Sequence, residues 1–397
     1  MIAINGSADV VVIGGGVMGL FTAYHLAQQG AGRIVLLEKS HIGAGSSGKS
    51  GAILRQHYSH EITVKLSRDS LKFFKNFAQH NGIDIGFQQT GMAFICHAKD
   101  RASLEANVSL QKNLGVNVEL LDAPQLRDME PRAVFDDDVI GALETDAAFV
   151  DPQLTLEALA HLCQSDGVDV RQGVGVVDIL VNKNQQIEGV KTTTGETIET
   201  STVINCGGPW AGILCARLGI DVALKVIRPQ QAYFAPSKSF GREKLIWGDL
   251  LTGMYWKPEP AGWTRVGKMS YEGDEEVIDP DNYDEGVSRG FIEFCRKQMG
   301  QRIPDYREAI SWGGCGALYT VTPDAHALIG EVPGINGFYL VSGFSGHGFK
   351  MGPAVGRGVA AMITGADPGP FDESFFAIDR FERGQPVTSA YAYGILG

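Results

Sequence analysis

Asp9-Val10-Val11-Val12-Ile13 runs directly into Gly14-Gly15-Gly16-Val17-Met18-Gly19, and this stretch decides the fold class. The first part is a short β-branched, apolar run, the pattern of a parallel strand buried on both faces. The second fits GxGxxG. In that motif Gly14 permits a tight turn, Gly16 lets backbone approach a pyrophosphate, and Gly19 lets helix and strand pack closely. Leu20–Gln29 continues as a helix, with Leu20, Ala23, Tyr24 and Ala27 at helical spacing. Arg33–Leu37 is a second apolar strand, ending in Glu38, 19 residues after Gly19, where a carboxylate accepts hydrogen bonds from ribose hydroxyls. The helix start offers N–H groups and a positive dipole end to phosphates. A glycine turn without ligand is the bland alternative. The strand before it, the helix after it and the acid at the right distance together favour a dinucleotide, and the spacing alone does not separate NAD from FAD.

The bulk numbers narrow the setting. The 397 residues carry 44% hydrophobic and 20% charged side chains, a globular composition long enough for two domains. The net charge of −12, with no Lys/Arg block, gives no footprint for nucleic acid or anionic membrane. None of the six cysteines forms a CxxC pair or lies at zinc-finger spacing, so no metal site is expected. The longest apolar stretch, Val10 to Ala23, is broken by glycines and is too short for a membrane span; it also lacks the flanks of a signal peptide. A cytoplasmic location is the default expectation.

Beyond Glu38 the chain departs from a nicotinamide pattern. His41 to Gly51 (HIGAGSSGKSG) is a long small-residue loop, followed by Ala52-Ile53-Leu54-Arg55-Gln56. Ser201–Cys206 is an apolar strand ending at Gly207-Gly208-Pro209-Trp210. Gly337–Ser342 is another, ending in GFSGHGFKM, Gly343 to Met351, before a small-residue helix. Both repeat the strand, glycine turn and helix device that presents backbone N–H groups to a bound group.

These segments, in this order, together with YTVTPDAHALIG (Tyr319 to Gly330), resemble the D-amino-acid oxidase superfamily, and within it the monomeric sarcosine oxidase pattern. The resemblance runs from Asp9 to about Ile363 and implies FAD as cofactor. It implies that Gly14, Gly15, Gly16, Val17, Met18, Gly19, Glu38 and Lys39 hold the ADP half. Ser46, Ser47, Lys49, Ser50 and Gly51 would line the pyrophosphate and ribityl region, Val176 would contact adenine, and Gly207 would approach the flavin. Gly346, Gly348, Lys350 and Met351 would lie beside the pyrimidine ring.

The implied chemistry is hydride removal from the carbon next to an amine nitrogen, giving an imine that hydrolyses. Arg55 and Lys350 match the carboxylate-binding pair, which suits a fixed cationic fork and a second cation. Tyr255 and Tyr319 match pocket-lining positions. The lysine associated with oxygen falls at Arg265 or Lys268, depending on one gap. The bland alternative is a surface salt bridge for Arg55, a solvated side chain for Lys350 and core packing for Tyr255 and Tyr319. The acceptor is O2 or an electron carrier, and a partner subunit is possible. Proline, hydroxyproline and D-amino-acid dehydrogenases fit the same motifs, and an assembly or electron-relay flavoprotein is the alternative of another class.

Two departures stand out. The flavin-attaching cysteine of monomeric sarcosine oxidase falls at Ala317, and the pocket histidine has no counterpart in Thr264–Gly273. Cys315 lies two residues upstream of Ala317, roughly 7 Å away if Trp312–Thr320 is one strand, so noncovalent FAD is expected. The fold class expected is α/β, a Rossmann-like FAD domain (1–88, 149–222, 324–372) with a discontinuous α+β substrate domain (89–148, 223–323) on a mainly antiparallel sheet. The tail, 373–397, carries few core-like positions and is expected at the surface or against a partner.

Overall fold

The computed structural model describes residues 4–235, 243–270 and 273–388. The Val10–Ile13 run does form a central parallel strand. It pairs with Ile34–Glu38 on one side and Val203–Asn205 on the other, in a six-stranded sheet completed by Asp169–Gln172, Phe338–Ser342 and Leu328–Glu331. All pairings are parallel except the last, Leu328–Glu331 against Phe338–Ser342. Cover on both faces explains why Val10–Ile13 and the run from Ile34 to Leu37 lack polar positions. Val10, Val12, Ile34 and Leu36 face a helical layer, Val17–Gln28 and Gly352–Thr364 among it. Val11, Ile13, Val35 and Leu37 face a second, small sheet of which Val176–Val181 and Ile187–Thr192 are part. The helix begins at Val17, inside the glycine motif rather than after it.

The second body is built on an eight-stranded sheet. Its order is Ser311–Gly316, Gln230–Phe234, Thr264–Lys268, Met254–Pro258, Ile246–Asp249, Met92–His97, Val139–Glu144, Val118–Leu121. Every pairing is antiparallel except Ile246–Asp249 with Met92–His97. One face carries Ala93, Ile95, Trp247, Trp256 and Val266 and is closed by residues of the helix Arg289–Arg302. From the other, Met92, Phe94 and Tyr255 reach a cavity beside the parallel sheet. The fold is thus a Rossmann-like α/β body with an α+β body on a mainly antiparallel sheet.

Two local expectations are corrected. Residues 312–320 are not one strand: Ser311–Gly316 belongs to the eight-stranded sheet, whereas Tyr319–Val321 pairs with Lys225–Arg228 in another. The tail is also no mere surface appendage. Phe376 is buried and stacks on Phe371, and Arg380 is 2% exposed, its guanidinium held by Asp324 at 2.8 Å and by the carbonyls of His326 and Ala327. Burying an arginine is tolerable only when it is paired and hydrogen-bonded in this way. Residues 389–397 of the tail lie outside the described residues.

Candidate active site

The order of the parallel strands sets the site. From the central strand the chain moves first to one side and later to the other, and at such a switch point a crevice opens at the carboxyl ends. Here it is a cavity of about 620 Å³ whose wall includes Gly14, Gly16, Val17, Met18, Glu38, Lys39 and the loop residues Ser46, Ser47, Lys49 and Ser50. Val176, Gly207, Gly346 and Gly348 line it as well.

The turn is shaped by sterics and by hydrogen bonds. Gly14 has φ +107°, and a Cβ on Gly19 would stand 1.9 Å from the Gly14 carbonyl oxygen, so neither position takes a side chain. Glu38 accepts from the N–H of Gly15 at 2.7 Å and of Ser40 at 2.8 Å, which fixes its carboxylate at the rim. Ser47 Oγ accepts from the Val17 N–H at 3.0 Å and caps the helix from another segment. Ser46 Oγ is buried on this wall with no hydrogen-bond partner among the described residues. A helix start, a fixed carboxylate and an orphaned hydroxyl around one long cavity suit a dinucleotide. Gly15 and Gly19 support the turn from behind it.

A segment of the second body borders the same cavity. Pro280, Asp281, Tyr283 and Glu285 lie on its wall. The Lys39 ammonium sits 3.8 Å above the Trp210 ring and pairs with Asp281, which also accepts from Trp210 Nε1 at 3.1 Å. Lys49 donates to Glu285 at 2.7 Å and to the Tyr283 hydroxyl at 2.5 Å. Sequence reading assigned both lysines to the cofactor and missed the strap they hold.

A smaller cavity of about 130 Å³ adjoins the first, and Ser50, Tyr319, Ser345, Gly346 and Phe349 border both. Arg55, Lys350, Tyr255, Lys268 and Gly51 line it, with Phe94, Met92, Ile53 and Met269 as apolar wall. The Tyr255 ring lies across Gly267, its strand partner, within 2.5 Å of where a Cβ would stand. The Arg55 guanidinium lies 4.0 Å from the Tyr58 ring and 5.6 Å from Phe94, and it donates to the His57 carbonyl. Lys350 is buried, donates to the His347 carbonyl at 3.4 Å and retains donor capacity in its three N–H bonds. Burial, then the nearby Arg55, hold it well below the usual lysine range. His347 Nε2 bonds to the Ala325 carbonyl at 2.9 Å, and burial followed by Lys350 and Arg55 keeps the ring well below 6.5.

Not every expected residue reaches the cavities. Arg265 instead ties the Lys49 loop to the sheet, bonding Glu259, Gln231 Oε1 at 2.7 Å and the Lys49 carbonyl at 3.2 Å. Lys268 is the one of that pair on the small cavity, held by Asp274 at 2.8 Å. Met351 is 2% exposed within the core and borders neither. Ala317 borders the large cavity; Cys315 borders neither and lies 3.7 Å from the Tyr233 hydroxyl. Sequence reading also missed Tyr58, Phe94 and a buried carboxylate, Glu144. Tyr58 follows Arg55 closely enough for the sequence to suggest the pocket or the domain interface, whereas Phe94 and Glu144 are brought there by strand pairing and no local motif marks them.

A dinucleotide cavity opening onto a small pocket lined by Arg55, Lys268 and Lys350 defines a class, that of a dinucleotide-dependent oxidoreductase. Residues 9–362 match DAO, the FAD dependent oxidoreductase family, and the chain belongs to it. It is similar to 4-methylaminobutanoate oxidase (formaldehyde-forming) of Paenarthrobacter nicotinovorans, 27% identical over 94% of this chain and 46% of that one, so the chain spans under half that relative's length. It is 26% identical to human peroxisomal sarcosine oxidase over 94% of this chain and 96% of the other. The crystal structure of L-proline dehydrogenase from P. horikoshii superposes with a TM-score of 0.86 at 27% identity, covering 96% of this chain and all of that one. No helix among the described residues is long and apolar enough to cross a membrane.

Proposed function

We propose that this protein oxidises the CH–NH bond of a small secondary amino acid, N-methyl or cyclic, with noncovalently held FAD. The observation that carries the reading is the pair Arg55 and Lys350 in a cavity that shares five wall residues with the dinucleotide cavity. A carboxylate held by this pair would lie in a pocket whose wall at Tyr319 and Gly346 is shared with the dinucleotide cavity. FAD, when bound, supplies the acceptor for the hydride equivalent leaving the carbon next to nitrogen.

The chain's own residues bind, orient and exclude water. The Arg55 fork suits bidentate carboxylate geometry, and its contacts with the Tyr58 ring and the His57 carbonyl restrain it. A carboxylate beside Lys350 favours the charged ammonium, opposing the burial that depresses it. Met92, Phe94, Ile53 and Met269 offer an apolar wall to an N-methyl group or ring. The imine that leaves with one proton fewer on nitrogen hydrolyses to a carbonyl compound and an amine. Ala317 on the cavity wall, in place of a thiol, supports noncovalent binding. Lys268 on the small cavity supports direct reaction with O2, while the similarity to a proline dehydrogenase supports an electron carrier.

The test is an anaerobic screen of the yellow protein with sarcosine, other N-methyl amino acids, L-proline, hydroxyproline and D-amino acids, following bleaching of flavin absorbance. Bleaching by an N-methyl or cyclic amino acid is expected, and the speed of recolouring in air separates oxidase from dehydrogenase. Bound FAD that no amine reduces would move the assignment to a relay or assembly subunit.

A further inference from the structure

Glu144 stands at the end of the strand Val139–Glu144 and is 1% exposed. Both of its oxygens accept from the Gln56 N–H at 2.8 Å; Oε1 also accepts from Gln56 Nε2 at 2.8 Å, and Oε2 from the His57 N–H at 3.1 Å. Three N–H donors from the two residues after Arg55 thus converge on one carboxylate from the other body of the fold. Arg55 returns to the same stretch by donating to the His57 carbonyl. His57 stacks on Phe94 with ring centres 4.5 Å apart, and Phe94 is on the small-cavity wall.

We propose that Glu144 is a positioning residue for the oxidation, holding the Arg55–His57 backbone so that the guanidinium fork faces the substrate carboxylate. This rests on the assignment of Arg55 as that anchor. The chemistry needs a carboxylate rather than an amide. A carboxylate is acceptor-only, whereas a glutamine side chain, or a protonated acid, would turn a donor towards the N–H groups and leave at least one buried N–H without an acceptor. The carboxylate also faces Arg55, whose positive charge it offsets, together with Lys350 and Tyr58, while burial keeps His57 neutral. Burial raises Glu144 to about 7, against the opposing pull of the Gln56 and His57 donors and of Arg55. Its ionisation therefore falls within the working pH range, and the hold on Arg55 loosens as pH drops through that value.

The experiment uses the FAD-loaded protein and pyrrole-2-carboxylate, a flat carboxylate analogue of a cyclic amino acid, read by the perturbation of flavin absorbance. Losing a hydrogen bond to a charged group corresponds to about tenfold in affinity. Glu144→Gln is expected to weaken the probe about tenfold and to abolish the fall in wild-type affinity between pH 8 and 6. The limiting rate of flavin reduction at saturating substrate, taken from the anaerobic screen, is expected to stay within about threefold of wild type. A Glu144→Gln protein that binds the probe with wild-type affinity and pH profile overturns the proposal. Should that variant not retain FAD, Glu144→Asp, with the charge withdrawn by one methylene, is read in the same way: weaker probe binding supports the positioning role and unchanged binding overturns it. Arg55→Met separates the two levels. If it weakens the probe and the Glu144 variants do not, only the positioning role fails; if it binds the probe as wild type does, the carboxylate anchor itself is wrong.

Discussion

The Tyr319 ring fills the space beside Gly346, where a Cβ would stand 2.4 Å from Cε2 and 3.0 Å from Cζ. Both residues lie on the wall shared by the two cavities, and Gly346 has φ +86°. Gly346→Ala therefore meets both a clash and a backbone conformation that costs L-residues about 1–3 kcal/mol. The expected outcome is displaced Tyr319 and weakened FAD retention, measured as flavin content after gel filtration. A variant with full FAD content and an unaltered flavin spectrum would show that the contact does not shape the site.

The Arg55 guanidinium carbon lies 4.0 Å from the Tyr58 ring centre, and its planar fork offers a carboxylate two parallel donors that an ammonium does not. Arg55→Lys is expected to raise KM for the best substrate at least about tenfold, with a smaller change in kcat. A KM within twofold of wild type would mean that charge alone suffices.

The strap at Pro280–Glu285 is joined across the cofactor cavity by Lys39–Asp281 and Lys49–Glu285. Exposed pairs of this kind are individually weak and screened by salt. The double variant Asp281→Asn/Glu285→Gln is expected to release FAD several-fold faster, and to lose the acceleration that 1 M NaCl gives the wild type. Slower release would instead show that the acids compete with FAD for the two lysines.

Ala317 stands on the large cavity's wall, Cys315 lies 3.7 Å from the Tyr233 hydroxyl, and burial pushes the thiol of Cys206, which does border the cavity, up to about 12. Acid precipitation is expected to leave all of the FAD in the supernatant, and Cys315→Ser to bind FAD as wild type does. Yellow pellet that turns colourless in the Cys315→Ser variant would establish a covalent link.

Buried histidines dominate the acid limb of stability. His25 and His326 are lowered from 6.5 to about 4, His57 to about 3 and His347 well below 6.5, each chiefly by burial. Their neutral forms favour the folded state, so their contribution is full above 6.5 and is lost as pH falls below it. Glu144 acts oppositely: raised from 4.5 to about 7, it favours the folded state at low pH, and that contribution is lost as pH rises from 4.5 to 7. Glu243 and Asp274 are raised in the same sense as Glu144, but the four histidines, at about 1.4 kcal/mol per proton and pH unit, set the net loss between pH 7 and 5. Urea unfolding of the holoprotein at pH 7 and pH 5 is expected to show the lower midpoint at pH 5; an equal or higher midpoint would contradict it.

The sequence by itself determined the dinucleotide half. From Val10 to Glu38 the strand, turn, helix and acid are set by β-branching, by glycines that no side chain could replace and by short-range hydrogen bonds, all of which leave a local trace. GFSGHGFK placed Lys350 for the same reason. Only the tertiary structure decided which cations face the small cavity. Arg265 and Lys268 sit three residues apart on one strand, and the partners available there, Glu259 and Gln231 for one and Asp274 for the other, draw the arginine to the Lys49 loop and leave the lysine at the cavity. Glu144 lies 88 residues from Gln56 in the chain, and the strap some 230 to 240 from the lysines that hold it. Such contacts arise from sheet pairing and the docking of two bodies, and single residues whose partners are that distant carry no periodicity or motif to announce them.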